Sequence, residues 1–287
     1  MATVRDLRDR IRSLKNTQQI TKAMKQIAST KIRRAEELRR QSRPFAAALS
    51  EMLRDLLTRA GHVDHPFMNP GKEGAPSGII LITADKGLAG AFNSNLIRTA
   101  DVHRREHPNV RWYSVGIKGR NALRRLEQET AQFWPQSRVD KRETARAIAT
   151  RVSEDFSAGA IGEILMISSK FASMTSQKPE LRKLVPVEPE RDASAPEGGA
   201  PGSVEFEPSP EFVLEHLLPT YLEFTIYAAL LETDACFFAA QLMAMSNATD
   251  NADQLIDDLT IVMNNARQAA ITKELLEIVG GAEALVS

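Results

Sequence analysis

The sequence contains one cysteine, Cys236, in 287 residues, so no disulfide can form within the chain and an internal dithiol switch is excluded. Cys236 lies in the apolar run Ala235-Cys236-Phe237-Phe238, which predicts a small buried hydrophobe and not a reactive thiol. Neither sign of charge is in excess: 37 Lys/Arg face 37 Asp/Glu, and this balance points to neither nucleic acid nor a membrane surface as partner. The start lacks the apolar core of a signal peptide. No uninterrupted apolar stretch approaches the ~20 residues that span a bilayer. The expectation is a soluble chain that partners can still hold at a membrane.

Familiar catalytic signatures are missing too. The turn Gly87-Leu88-Ala89-Gly90-Ala91-Phe92 lacks the three-glycine dinucleotide fingerprint, and no Lys-Ser or Lys-Thr pair follows as a phosphate-binding P-loop requires. Gly87 and Gly90 are expected to permit a tight turn and close helix–sheet packing. Asp85 and Lys86 have acid–base side chains, but loop-top charges of this kind usually stay solvated or cap a helix. No serine occupies a nucleophile elbow, and no histidine lies near Cys236 in sequence. His62 and His65 share a loop with Pro66. His103 and His107, four apart, can share a helix face at a spacing that suits zinc, yet no third ligand is nearby in sequence. No cofactor or metal is predicted.

What the chain does have is asymmetry. Residues 1–43 hold 13 Lys/Arg against 4 Asp/Glu, whereas residues 250–287 hold 2 basic residues against 7 acidic ones. Either two solvated helical faces attract one another, or the basic end meets an acidic partner. From Thr3 to about Arg59 only Pro44 interrupts a helix-favouring composition, with a bend expected there. Val4, Leu7, Ile11 and Leu14 mark one apolar stripe; at Asn16–Gln19 it loses its hydrophobes, and it is expected to resume on a shifted face with Ile20, Met24 and Ile27. Towards the other end, Ser209-Pro210 suits a helix start. Helical composition then runs to Val279, with a break expected at Pro219 and an end or loosening at Gly280-Gly281. Ala252, Leu255, Leu259, Val262, Ala266 and Ala269 mark its stripe. Neither helix can bury its stripe alone, so an antiparallel coiled coil of the two ends is predicted.

The middle reads as a returning α/β module. Gly78–Thr83, Val110–Val115 and Ala160–Ser169 are expected strands; Phe92–Glu106, Arg120–Glu127 and Lys141–Phe156 are expected helices. Their alternation implies a mainly parallel, Rossmann-like sheet. The fold class is therefore α/β plus long helices: a coiled coil of N- and C-terminal helices with a central Rossmann-like α/β domain. The expected divisions are a first helix over 1–59, the α/β domain over 75–190, a mobile Pro/Gly-rich loop over 191–209 and a second long helix over 210–287.

The run Arg8-Asp9-Arg10-Ile11-Arg12-Ser13-Leu14-Lys15-Asn16-Thr17-Gln18-Gln19-Ile20-Thr21-Lys22-Ala23-Met24-Lys25 resembles the N-terminal signature of the γ subunits of F-type ATP synthases. Asn247–Ala252 and Asn265–Val279 resemble that family's C-terminal signature, and Asp85–Leu96 its first strand–helix turn. The resemblance spans the whole chain, with the segment Glu188–Ser209 least alike. It implies a rotor whose coiled coil enters a ring of α and β subunits, and whose other end sits with ε on a membrane ring of c subunits. Proton flow would turn it and drive ATP synthesis in β, with no catalysis by the chain itself. By resemblance, Lys22, Met24 and Lys25 would lie near acidic loops of β. Arg267, Gln268, Thr272, Glu274 and Glu277 match family positions that contact the upper part of the catalytic ring. Where many members have an arginine, this chain has Gln241, which would remove a positive charge from a contact with β. The resemblance further implies a peripheral membrane protein on the cytoplasmic face of a bacterial inner membrane, the lack of a transit peptide favouring a bacterial source. Two other readings stay open on the residues: an α/β nucleotide-binding enzyme with helical oligomerisation arms, and a static coiled-coil adaptor.

Overall fold

A computed structural model describes residues 3–60, 65–136, 140–187 and 209–286. His62 and the segment Glu188–Pro208, expected to be a mobile loop, lie outside the described residues. Helix α1 (Val4–Ala60) opens the chain and α5 (Pro210–Val286) closes it. Between them come a short 3₁₀ turn (Pro66–Met68) and then β1 (Ser77–Ile82), α2 (Phe92–Glu106), β2 (Val110–Val115), α3 (Ile117–Arg125), β3 (Thr130–Trp134), α4 (Lys141–Ser157), β4 (Glu163–Phe171) and β5 (Gln177–Val185). The chain divides into two compact units, residues 1–29 with 241–287, and residues 30–240.

The larger unit holds one sheet in the order β3-β2-β1-β4-β5. β1 pairs in parallel with β2 and with β4, β2 pairs in parallel with β3, and only the edge strand β5 runs antiparallel, against β4. β1 is buried on both faces, as its unbroken apolar run requires. Its alternate side chains feed two cores. Ile80 and Ile82 join α4 through Ile148 and Val152, the α1 residues Leu53 and Leu56, and the α5 residues Leu218 and Ile226. Ile79 and Leu81 join α2 through Phe92 and Leu96, and α5 through Cys236 and Phe237. The long helices thus supply part of the sheet's cover, so an 18-residue window of α5 with mean hydropathy 1.3 is 61% buried within the protein.

Several boundaries differ from expectation. The sheet has five strands where three were expected, and α3 begins three residues earlier, at Ile117. β5 escapes pattern reading because it is an edge strand carrying Lys178, Pro179, Glu180, Arg182 and Lys183, residues that protect an open edge and hide the apolar alternation. Both long helices continue through their internal prolines, Pro44 and Pro219, and α5 runs past Gly280-Gly281 to Val286. Ser209 caps α5 as its sequence suggests, its Oγ accepting from the Phe212 amide at 3.3 Å.

Candidate partner-binding site

In the smaller unit the two chain ends lie antiparallel. Lys25 Nζ donates to Ser246 Oγ at 3.0 Å, and one turn earlier Thr21 meets Thr249, hydroxyl to hydroxyl, at 2.8 Å. Rising numbers on α1 therefore pair with falling numbers on α5. On α1 the inward positions are Val4, Leu7, Ile11, Leu14, Gln18, Thr21, Lys25 and Ala28, an unbroken alternation of threes and fours. The expected shift of stripe does not occur. Polar residues fill the seam through the signature segment instead, while Ile20 and Ile27 stand 60% and 55% exposed and Met24 is half-buried. The expected stripe on α5 is corrected likewise. Met245, Thr249, Ala252, Ile256, Leu259, Met263 and Ala266 face inward, whereas Leu255 and Val262 are half exposed and Ala269 is exposed. Two neighbouring stripes on this helix have the same period, and only pairing with α1 selects between them.

Extending the register set by Lys25–Ser246 and Thr21–Thr249, α5 outruns the start of α1 near Arg267. Beyond it every described side chain from Arg267 to Val279 is exposed, including Ile271, Leu275, Leu276, Ile278 and Val279. An apolar helix face this large, facing water, marks an interaction surface. Four of the sequence-singled residues there, Arg267, Gln268, Glu274 and Glu277, present their polar ends outward, although Glu277 also pairs with Lys273 at 3.7 Å. Thr272 turns its hydroxyl back to the Gln268 carbonyl at 3.0 Å. On α1, Lys22 is exposed, whereas the Lys25 ammonium is tied to Ser246. Gln241 is buried at 8% exposure, so its side chain is an interior one and not the outward contact expected of it. Among the described residues no ion pair joins the basic start of α1 to the acidic end of α5. Arg5, Arg8, Arg10, Arg12, Lys15 and Lys22 all point to solvent.

The sequence features that hinted at chemistry have structural work. Asp85 Oδ1 accepts from the backbone amides of Ile117 at 3.0 Å and Gln136 at 3.2 Å, tying three loops together. Asn93 bridges the turn, accepting from the Ala84 amide and donating to the Lys86 carbonyl. Gly90 takes φ 54°, as a tight turn requires; at Gly87 an added Cβ would meet only ordinary contacts with Lys118, at 3.7 Å. His65 accepts from the Phe67 amide through Nδ1, as the cap of the 3₁₀ turn. His103 and His107 stack with ring centroids 4.8 Å apart, and burial lowers the pKa of His103. No cluster of three metal-ligating side chains exists among the described residues. Cys236 is fully buried, and that burial pushes its thiol up to about 12.

The comparisons with known proteins agree with one another. A family model described as ATP synthase matches residues 3–285. The ATP synthase gamma chain of Pelotomaculum thermopropionicum is 44% identical, covering 99% of this chain and 100% of that one. The chain belongs to the ATP synthase gamma chain family. The gamma chain of Desulforamulus reducens, at 42% identity, covers the same shares. Among solved structures, a chain of the Euglena gracilis mitochondrial ATP synthase, in an assembly of OSCP, F1 and c-ring, superposes with TM-score 0.66 at 18% identity, over 98% of this chain and 94% of its own. A chain of the Tetrahymena thermophila central stalk and c-ring gives 0.60 at 22%, over 80% of this chain and 99% of its own. These structural likenesses establish the fold: a mixed five-stranded sheet with long terminal helices.

Proposed function

We propose that this chain is the central rotor shaft of an F-type ATP synthase, coupling proton flow through a membrane ring to ATP synthesis in catalytic β subunits while catalysing nothing itself. The observation that carries the reading is the end of α5, exposed with its hydrophobes outward. Such a helix suits the inside of a collar of protein, where all of its faces are covered. The exposed cations along α1 suit acidic loops on the same collar and steer its docking. Lys22 and Met24, with Arg267, Gln268, Glu274 and Glu277, are the proposed contacts with β and α. Lys25 and Thr272 contribute mainly to the shaft itself, through their internal hydrogen bonds. The α/β unit is proposed to meet ε and the c-ring, on the cytoplasmic face of a bacterial inner membrane. The division into two shaft helices flanking an α/β domain belongs to the same proposal.

The test uses the assembled complex. Gln268→Cys, crosslinked to a cysteine placed on the facing surface of β, is expected to abolish ATP turnover, and reduction is expected to restore it. Full turnover after complete crosslinking would overturn an obligatory rotary role and favour a static adaptor. Copurification at one copy per three α and three β subunits is expected of the same preparation.

A further inference from the structure

The larger unit carries a cavity of about 230 Å³ beside the carboxyl end of β1. β1 has β2 on one side and β4 on the other, so the strand order changes direction there, the place where open parallel sheets receive ligands. Three lysines, Lys31, Lys86 and Lys141, line the cavity with two aspartates, Asp85 and Asp234, above a floor of phenylalanine rings. The aspartates are occupied. Asp85 holds two backbone amides, and Asp234 pairs with Lys141 at 3.0 Å. Lys31 and Lys86 keep exposed ammonium groups, Lys31 lying 5.3 Å from the centre of the Phe238 ring. The deciding group is Gln136. It lines the cavity at 6% exposure, and its amide nitrogen is buried without a hydrogen-bond acceptor among the described residues. A buried donor left in this state is rare in folded proteins and calls for an acceptor.

We propose that this cavity is a binding site for a small phosphate-type oxyanion, held by Lys31, Lys86 and the Gln136 amide, with Lys141 shared between the anion and Asp234. An oxyanion supplies the acceptor that Gln136 lacks and the charge that the lysines face. The volume lies below the roughly 300–1,000 Å³ of pockets that enclose larger ligands, which favours a single phosphate group over a whole dinucleotide. The anchors are side chains and not the Gly87–Gly90 turn, none of whose residues lines the cavity. Free phosphate and the terminal phosphate of a nucleotide offer the same chemistry.

Calorimetric titration of the full-length chain with inorganic phosphate, ADP and ATP tests the site. Saturable one-to-one phosphate binding is expected, weakening as salt is added. Lys86→Met and Gln136→Leu are each expected to weaken it about tenfold or more. Lys86 is exposed, so its variant keeps the parent's melting temperature and separates lost binding from lost folding; Lys31→Met, also at an exposed anchor, is expected to weaken binding likewise. A nucleotide that competes with phosphate and loses affinity in the same variants would identify nucleotide as the source of the anion. The proposal fails if none of the three ligands gives saturable heat at tens of millimolar, or if binding survives all three substitutions unchanged.

Discussion

Thr249 sits at 4% exposure in a seam that coiled coils ordinarily fill with aliphatic residues. Its one hydroxyl proton is shared between the Met245 carbonyl and the Thr21 hydroxyl, both at 2.8 Å, and Thr21 in turn donates to the Gln18 carbonyl at 2.9 Å. Each hydroxyl therefore keeps a backbone acceptor if the other is lost. Thr21→Val and Thr249→Val are each expected to change unfolding free energy by less than about 1 kcal/mol. Urea unfolding of the singles and the double would report their coupling; a value above about 2 kcal/mol would show that the cross-helix bond dominates the seam. Asp234 offers a pH test. Burial raises its pKa, Lys141 opposes the rise, and the charge of Asp85 adds to it. The folded state thus holds this proton more tightly than the unfolded chain does. The stability it contributes is complete below the ordinary carboxylate range, falls as pH climbs towards the raised folded value, and is flat above it. The melting-temperature difference between the parent and Asp234→Asn should shrink, or grow more negative, across that window. A difference constant with pH would remove the assigned shift.

At the scale of elements, the junction of β2 and α3 depends on one glycine. Gly116 has φ 89°, and a Cβ there would lie 2.1 Å from the Thr83 carbonyl oxygen. Thr83 cannot retreat, because its hydroxyl donates to the Val115 carbonyl and accepts from the Gly119 amide. Gly116→Ala combines left-handed strain with a backbone clash and is expected to cost about 3 kcal/mol or more, seen as a fall in urea midpoint. A loss under about 1 kcal/mol would mean that the junction relaxes freely. This junction also shows what was legible in the sequence. The apolar run Gly78–Thr83 disclosed a buried strand, and Phe92–Glu106 and Val110–Val115 were bounded correctly because their turn residues flank clear patterns. β3 and β5 were not legible: β3 is short, half-buried at four positions and exposed at Gln132, and β5 alternates charges on an open edge. The stripes failed for another reason. Period alone could not tell Leu255 and Val262 from Ile256 and Met263, nor reveal that Gln18, Thr21 and Lys25 turn inward. Burial of these positions is decided by the partner helix, which the local sequence does not contain. Of the proposed contacts, the exposed group on α5 was found through its resemblance to a family. Gln136 was missed, since a lone glutamine carries no motif.

For the whole molecule, the rotor reading makes a demand that an adaptor with moving arms does not. Torque passes along a shaft only if its two helices stay in register with each other. The Thr21–Thr249 contact tests this, because a 2.8 Å separation between the hydroxyl oxygens places the two side chains close enough for a disulfide to be attempted. Cys236 is fully buried with its thiol pushed up to about 12, so it will not compete for the new bond. Thr21→Cys with Thr249→Cys is therefore expected to close cleanly on oxidation. The loop so closed holds most of the chain, and the chain-entropy account gives a gain of about 5.5 kcal/mol against unfolding. In the assembled complex the oxidised pair should keep ATP hydrolysis and proton-driven synthesis close to those of the reduced form, because nothing between the two helices has to move during a turn. Loss of turnover on oxidation, restored by reductant, would show that the helices slide or part during the cycle. The coiled coil would then be a working hinge, and the rigid-shaft account of coupling would have to be abandoned.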